Sequence, residues 1–208
     1  MCTRQGILLI FCKNILDKQR TIPLYYKDGD RFVLRCSRIW SSHTRECLVT
    51  IVPDTAKHTP VVCARFTPNN KYVLLGILDS TIRLYDFSTD GTSDTSADES
   101  SPGVSLKKTY TEHLNQRYAV QSTFMVKTSD NSKYVISGSE DHHIYIWDLN
   151  TRVCKGVLRG KSSPDAKGDG HCDVVLGLDT SRASPLLASS SGSADCTVKL
   201  WSCVAPTS

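Results

Sequence analysis

The chain is predicted to be all-β, a partial β-propeller, and three observations in its 208 residues carry that prediction. An aspartate is followed six residues later by an aromatic in three places, Asp79 to Tyr85, Asp141 to Trp147 and Asp195 to Trp201. Each pair ends a β-branched run, in LDSTIRLYDF, EDHHIYIWDL and ADCTVKLWSC. Each run follows an apolar segment, YVLLGIL, KYVISGS or PLLASSSGS, so the unit strand, tight turn, strand recurs along the chain.

Trp40, in RCSRIWSS, ends a fourth run of this kind. The interval from Trp40 to Tyr85 matches the WD-repeat period of about 40 to 45 residues; the two later intervals are longer because of polar insertions. One blade is a small four-stranded sheet that cannot bury both faces alone, and a closed ring needs roughly 4 to 8 of them. The sequence supplies three blades plus part of a fourth. The pattern starts in mid-blade, so a truncated product, a fragment or a faulty gene model is expected, with closure by copies of itself as the alternative.

Taken in order, residues 1–20 match no repeat, and the short apolar GILLIFC within them reads as a strand or as a remnant unrelated to the blades. Residues 21–52 form an incomplete blade whose inner strands lie in TIPLYYKDGDRFVLRCSRIW and whose outer strand is TRECLVTIV. Residues 53–110 form the next blade, from VVCARF through the turn at Asp79 to TIRLYDF. It carries an insertion at 88–105, rich in Ser, Thr, Asp and Gly and free of Lys and Arg, which reads as a solvated loop. Residues 111–160 form a third blade, with strands in RYAVQSTFMV, KYVISGS and HIYIWDL. A polar insertion at 161–170 precedes the last blade, 171–203, which lacks an outer strand, and 204–208 is a tail.

Composition narrows the function classes. A net charge of +4, with Lys and Arg scattered rather than striped with aromatics, does not indicate nucleic-acid binding. Nine cysteines at irregular spacing, without a CxxC pair, suit a reducing compartment. GILLIFC is too short for a membrane span and lacks a small-residue cleavage site. No Cys or His pair has ligand spacing, so neither a metal nor a cofactor is expected.

In the two later blades a histidine lies upstream of the repeat aspartate, and a serine lies just before it. His113, Ser137, Asp141 and Trp147 have the composition of a buried relay, in which carboxylate, imidazole, hydroxyl and indole satisfy one another without water. His171, Asp195 and Trp201 repeat it with Ser189 or Ser191 as the hydroxyl. In the blade before, His58 holds the histidine place, but Leu75 and Tyr85 replace the serine and the tryptophan, so that blade should be the less rigid one. Ser, His and Asp together invite a hydrolase reading, yet the serine lies inside a sheet and no Gly-rich elbow or oxyanion hole is evident. The expectation is a fold-stabilising network and no enzyme.

Four strings, PVVCARFTPNNKYVLLGILDSTIRLYDFS, LKKTYTEHLNQRYAV, KYVISGSEDHHIYIWDLNT and GHCDVV with CTVKLW, closely resemble the C-terminal blades of one WD-repeat family. That family is the WD-repeat subunit shared by COMPASS-like histone lysine-methyltransferase complexes. The likeness covers about residues 35–203. It implies a WD40 propeller of seven blades in all, a nuclear scaffold without activity that adapts histone H3 lysine-4 methyltransferase complexes, with the cytoplasm as the other location. The resemblance implies two partner sites. A groove for a short acidic and aliphatic peptide of another complex subunit falls on Asn69, Tyr72, Leu84, Phe124, Val126 and Asn150, the last standing where the family has Gln. A channel opening that takes an arginine, as from a histone tail, falls on Val62, Cys63, Tyr118, Ala119, Gln121 and Leu176. Gln121 replaces a sandwiching aromatic there, so the channel is diverged. The competing readings are a WD adaptor of another class, such as a ubiquitin-ligase substrate receptor or an RNA-processing scaffold, and a non-functional truncated paralogue.

Overall fold

The computed structural model describes the backbone of residues 2–4, 7–10, 25–28 and 31–34. It describes, with side chains, residues 36–53, 59–87, 103–127, 131–161, 163, 165, 167–181 and 184–202. Among them there is no helix, and the strands form antiparallel meanders, as the repeat spacing predicts for a partial β-propeller. The chain divides into two units, Met1–Thr109 and Tyr110–Ser208.

In the first unit, β1 (Cys2–Arg4), β2 (Ile7–Ile10), β5 (Ser37–Ser41) and β6 (Cys47–Ile51) make one sheet in the order β1-β2-β5-β6. Between them in sequence, β3 (Tyr25–Asp28) and β4 (Arg31–Leu34) pair as a separate hairpin. Here the structure differs from the sequence reading. The first blade takes its inner strands from within 1–20, where aliphatic ILLI pairs with β5 in the register Leu8 to Trp40, and 25–34 is an excursion. The second sheet is β7 (Val61–Phe66), β8 (Tyr72–Ile77), β9 (Thr81–Phe87) and β10 (Val104–Tyr110) in sequential order, so 104–105 belong to its outer strand rather than to the insertion. The rest of that insertion, 88–102, lies outside the described residues. Val73 to Ile77 are buried without a break, the pattern of a strand covered on both faces. Ile39, Val49 and Ile51 of the first sheet pack with Val61, Ala64, Val73, Leu75, Tyr85 and Phe87 of the second. Each of the valine, leucine, isoleucine and phenylalanine side chains contributes about 1.5–3 kcal/mol on burial.

In the second unit, β11 (Ser122–Val126), β12 (Lys133–Gly138), β13 (Ile144–Asp148) and β14 (Cys154–Leu158) form a four-stranded sheet, and β15 (Val175–Thr180), β16 (Leu186–Ser191) and β17 (Val198–Ser202) a three-stranded one. A bulge precedes Trp147 where it faces Cys154, and the same bulge precedes Trp40 where it faces Cys47, so Trp40 is the fourth member of the aromatic series. Ile136 and Ile144 of one sheet pack with Val175, Leu178 and Leu187 of the other. The two sheets are also joined by Val175 N donating to Ser139 O at 3.2 Å and Gln121 N donating to Leu176 O at 2.9 Å.

Gly138 sits at this junction. A Cβ there would lie 2.2 Å from Val175 O and 3.0 Å from Val175 C, both backbone atoms that only a shift of β15 could relieve. We expect Gly138→Ala to destabilise the second unit by about 1–3 kcal/mol, the cost of overpacking. Gly156→Ala, whose Cβ would meet nothing within 4 Å, should be neutral or slightly stabilising. Urea denaturation of the two variants measures the difference.

Candidate functional site

The repeat aspartates sit in turns built alike. The residue after each is non-glycine in left-handed backbone, Ser80 at φ 60°, His142 at 71° and Cys196 at 52°. A carboxylate at the preceding position stabilises such a turn by accepting from groups two residues on. Thr81 N donates to Asp79 Oδ1 at 3.0 Å, His143 N to Asp141 Oδ1 at 3.1 Å, and the Thr197 hydroxyl to Asp195 Oδ1 at 2.7 Å. The second carboxylate oxygen finds a different partner in each blade.

In the last blade that partner is His171, whose Nδ1 bonds Asp195 Oδ2. His171 Nε2 lies 2.7 Å from Ser189 Oγ, and Trp201 Nε1 donates to the same oxygen at 2.8 Å. The structure thus brings His171, Asp195 and Trp201 together through Ser189. Ser191 is used elsewhere, donating to Asp173 O and Val174 O at 2.9 and 3.0 Å. Burial opposes ionisation of Asp195, but the bonds from Thr197 and His171 outweigh it and hold the carboxyl down, to about 2. Burial also pushes the His171 imidazole below its ordinary value, against the pull of Asp195.

In the third blade the bonds are arranged differently. Tyr145 donates its hydroxyl to Asp141 Oδ2 at 2.7 Å. Ser137 Oγ lies 3.0 Å from Ser122 Oγ and donates to Gly138 O at 2.9 Å. His113 stands edge-on to Trp147, with ring centroids 5.6 Å apart, and Tyr145 stacks on the same indole at 5.7 Å. His113, Ser137, Asp141 and Trp147 therefore share one blade, with the phenol in possession of the carboxylate. Lys199 holds the Tyr145 position in the last blade, where the imidazole meets the acid. Burial works against the charge of Asp141, yet bonds from Ser139, Tyr145 and the His143 backbone bring its carboxyl below the ordinary range. Burial, and then the bond to Asp141, push the Tyr145 phenol up to about 12.

In the second blade Arg83 takes the partner role. Its Nη2 lies 2.8 Å from Asp79 Oδ2, its Nε donates to Thr81 Oγ1 at 3.2 Å and its Nη1 to Pro53 O at 2.8 Å. His58 lies outside the described residues.

Of the residues assigned to a peptide groove, Asn69, Tyr72 and Leu84 belong to the first unit and Phe124, Val126 and Asn150 to the second. Asn69 and Asn150 are exposed and Tyr72 and Val126 half-buried, whereas Leu84 and Phe124 are buried at 3% and 8% exposure. Phe124 O also accepts the Thr180 hydroxyl at 2.7 Å. Of the channel residues, Gln121 ties two sheets, its Oε1 accepting from Leu178 N at 3.5 Å beside its backbone bond to Leu176. Sequence reasoning missed Glu140. One of its carboxylate oxygens accepts the N–H groups of Gln116, Arg117 and Tyr118 at 2.8, 2.6 and 2.9 Å, fixing the loop that displays Tyr118 and Arg117. An acid directly before a repeat aspartate was the only signal for it.

The described residues contain no group of three or more His, Cys, Asp or Glu able to hold a metal, and no helix long and apolar enough to cross a membrane. A WD domain, G-beta repeat model matches residues 45–86, 105–148 and 162–202. WD repeat domain-containing protein 83 of Danio rerio is 33% identical over 91 residues, 44% of this chain and 23% of that protein. Its homolog in Dictyostelium discoideum is 25% identical over 142 residues, 68% of this chain and 34% of that protein. The Rattus norvegicus protein of the same name is 30% identical over 91 residues. The chain spans about a quarter to a third of the length of these curated relatives.

Proposed function

Because the chain belongs to the WD-repeat family, we propose that it is a non-catalytic scaffold that binds protein partners through the surfaces of its blades. The observation that carries this reading is the commitment of the chemically capable groups to the fold. His171, Asp195 and Ser189 stand in the order of a hydrolytic triad, but Trp201 Nε1 also holds the Ser189 hydroxyl at 2.8 Å. Ser189 is 2% exposed within β16, and a nucleophile needs an open approach to an acyl carbon. Asp141 is occupied by Tyr145 and Asp79 by Arg83 in the same way. What remains for other molecules is loop and blade surface.

Within that class we infer an adaptor of a nuclear histone lysine-methyltransferase complex. The strings PVVCARFTPNNKYVLLGILDSTIRLYDFS and KYVISGSEDHHIYIWDLNT, with their likeness to that subunit, support it. The relatives' names state the repeat architecture and no partner. In the second unit the groove assignment gives exposed Asn150 and half-buried Val126 as residues that touch an acidic, aliphatic peptide, with buried Phe124 as packing.

Affinity capture from nuclear extract, with mass spectrometry, tests both levels. Methyltransferase subunits should co-purify, and a Val126→Glu, Asn150→Glu variant should lose them by charge repulsion. Ligase or splicing subunits in their place would overturn the adaptor assignment. Capture of chaperones alone would overturn the scaffold reading as well.

A further inference from the structure

We propose that Ser163 is a phosphorylation site for a proline-directed Ser/Thr kinase, on a loop built to present it. The insertion at 161–170 leaves and rejoins the third and fourth blades at one neck. Lys161 N donates to His171 O at 2.6 Å, and Lys161 O lies 3.3 Å from His142 Nδ1. The neck is tight, because a Cβ on Gly160 would lie 2.5 Å from His142 O and one on Gly170 would lie 1.9 Å from Arg159 O. Beyond it Ser163, Asp165, Lys167, Gly168 and Asp169 are all exposed. A short loop closed at its base and open at its apex is a compact surface loop of the kind that carries function.

Ser163 is followed by Pro164. Proline has no N–H to offer a ladder and turns the residue before it away from helical backbone, which suits the extended substrate cleft of such a kinase. Of the other Ser-Pro and Thr-Pro pairs in the chain, Ser101-Pro102 lies outside the described residues, Thr67 is buried and Thr59 is half-buried. Ser184-Pro185 is half-buried and bound into a turn: Ser184 N and Oγ donate to Ser181 Oγ at 3.2 and 3.0 Å, and its carbonyl accepts from Leu186 N at 2.7 Å. The structure therefore separates Ser163, which is free to be presented, from Ser184, which is held.

In the reaction the Ser163 hydroxyl oxygen attacks the γ-phosphorus of ATP. A new O–P bond forms as the bond from that phosphorus to the β,γ-bridging oxygen breaks. ADP leaves with the electron pair, and the hydroxyl proton passes to the kinase's catalytic carboxylate. The resulting dianion lies between Lys161 and Lys167 in sequence, whose ammonium groups can pair with it, against the repulsion of Asp165 and Asp169.

The test uses the full chain carrying Ser101→Ala, a purified cyclin-dependent or MAP kinase, and MgATP, read by mass spectrometry. One phosphate is expected, on Ser163, and Ser163→Ala and Pro164→Ala should each lose it. Tryptic cleavage after Lys167 should be slower in the phosphorylated chain than in the unmodified one. No phosphate on Ser163, in the folded chain or in a peptide of residues 159–170, overturns the site; modification of Ser184 to the same extent overturns the presentation argument. Equal cleavage rates overturn the pairing with lysine.

Discussion

Trp147→Ala will destabilise the Tyr110–Ser208 unit by about 3–5 kcal/mol, the cost of deleting a large buried aromatic and leaving its cavity. Trp147 is 0% exposed, and its ring is surrounded by those of Tyr110, Tyr145 and His113 at centroid distances of 6.1, 5.7 and 5.6 Å. Neither tyrosine can move in to fill the gap without breaking its own bond. Tyr110 donates to Leu149 O and Tyr145 to Asp141. Against a total stability of about 5–15 kcal/mol for a domain, such a loss removes a large fraction of what holds the unit folded. Urea titration followed by far-UV circular dichroism measures it. Trp147→Phe is the informative partner. The indole Nε1 has no hydrogen-bond partner among the described residues, so the phenyl ring loses volume and no bond. Its cost should stay under about 1.5 kcal/mol, as for a swap that keeps most of the volume. Equal losses in the two variants would show that packing around the ring is not what Trp147 supplies.

The second large effect belongs to Asp195. Asp195→Ala removes one partner of a pair whose side chains are 7% and 0% exposed, and leaves the His171 imidazole and the Thr197 hydroxyl without their acceptor. Leaving these two donors unsatisfied costs about 1–3 kcal/mol each. The pH dependence of the native chain follows from the directions already given. Asp195 titrates near 2 when folded and at 3.8 in the ordinary state, so its contribution is complete above 3.8 and disappears as pH falls toward 2. His171 is held below its ordinary 6.5, so the folded state favours the neutral ring, and stability is lost as pH falls below 6.5. Both slopes have the same sign. Urea midpoints between pH 8 and pH 3 should fall with acid in the native chain. In Asp195→Ala the fall below about pH 4, where the free carboxyl titrates, should be smaller. A midpoint that rises on acidification would contradict the assignment of a neutral, buried His171.

Much of the fold was legible because an aspartate turn and an aromatic six residues on specify a hairpin and its register together. Val73 faces Tyr85, Val135 faces Trp147 and Leu187 faces Trp201 at the same step of three hairpins. The network around His171 was legible for the same reason, since the histidine and the serine are placed relative to that turn. Three things were not. Ser189 and Ser191 point to the same side of β16, and only the bonds each makes, Ser189 to His171 and Trp201 and Ser191 to Asp173 and Val174, decide between them. Tyr145 reads as an ordinary strand residue until its hydroxyl is seen on Asp141. The inner strands of the first blade were hidden because a hairpin at 25–34 stands between them and Trp40 in sequence, so that adjacency along the chain is not adjacency in the sheet.

The turn aspartate is best regarded as a socket. Its first oxygen is always spent on the turn, and its second is open to whatever the rest of the blade brings. A guanidinium and a phenol reach it from four residues along the same strand, as Arg83 and Tyr145 do, and an imidazole reaches it from the loop before the blade, as His171 does. Repeats in one chain can therefore drift apart by exchanging the plug without rebuilding the turn. The information that identifies a blade resides in the left-handed step after the aspartate. A search pattern keyed to the serine or the tryptophan would pass over the second blade, where Leu75 and Tyr85 stand in their places, although its turn is made in the same way.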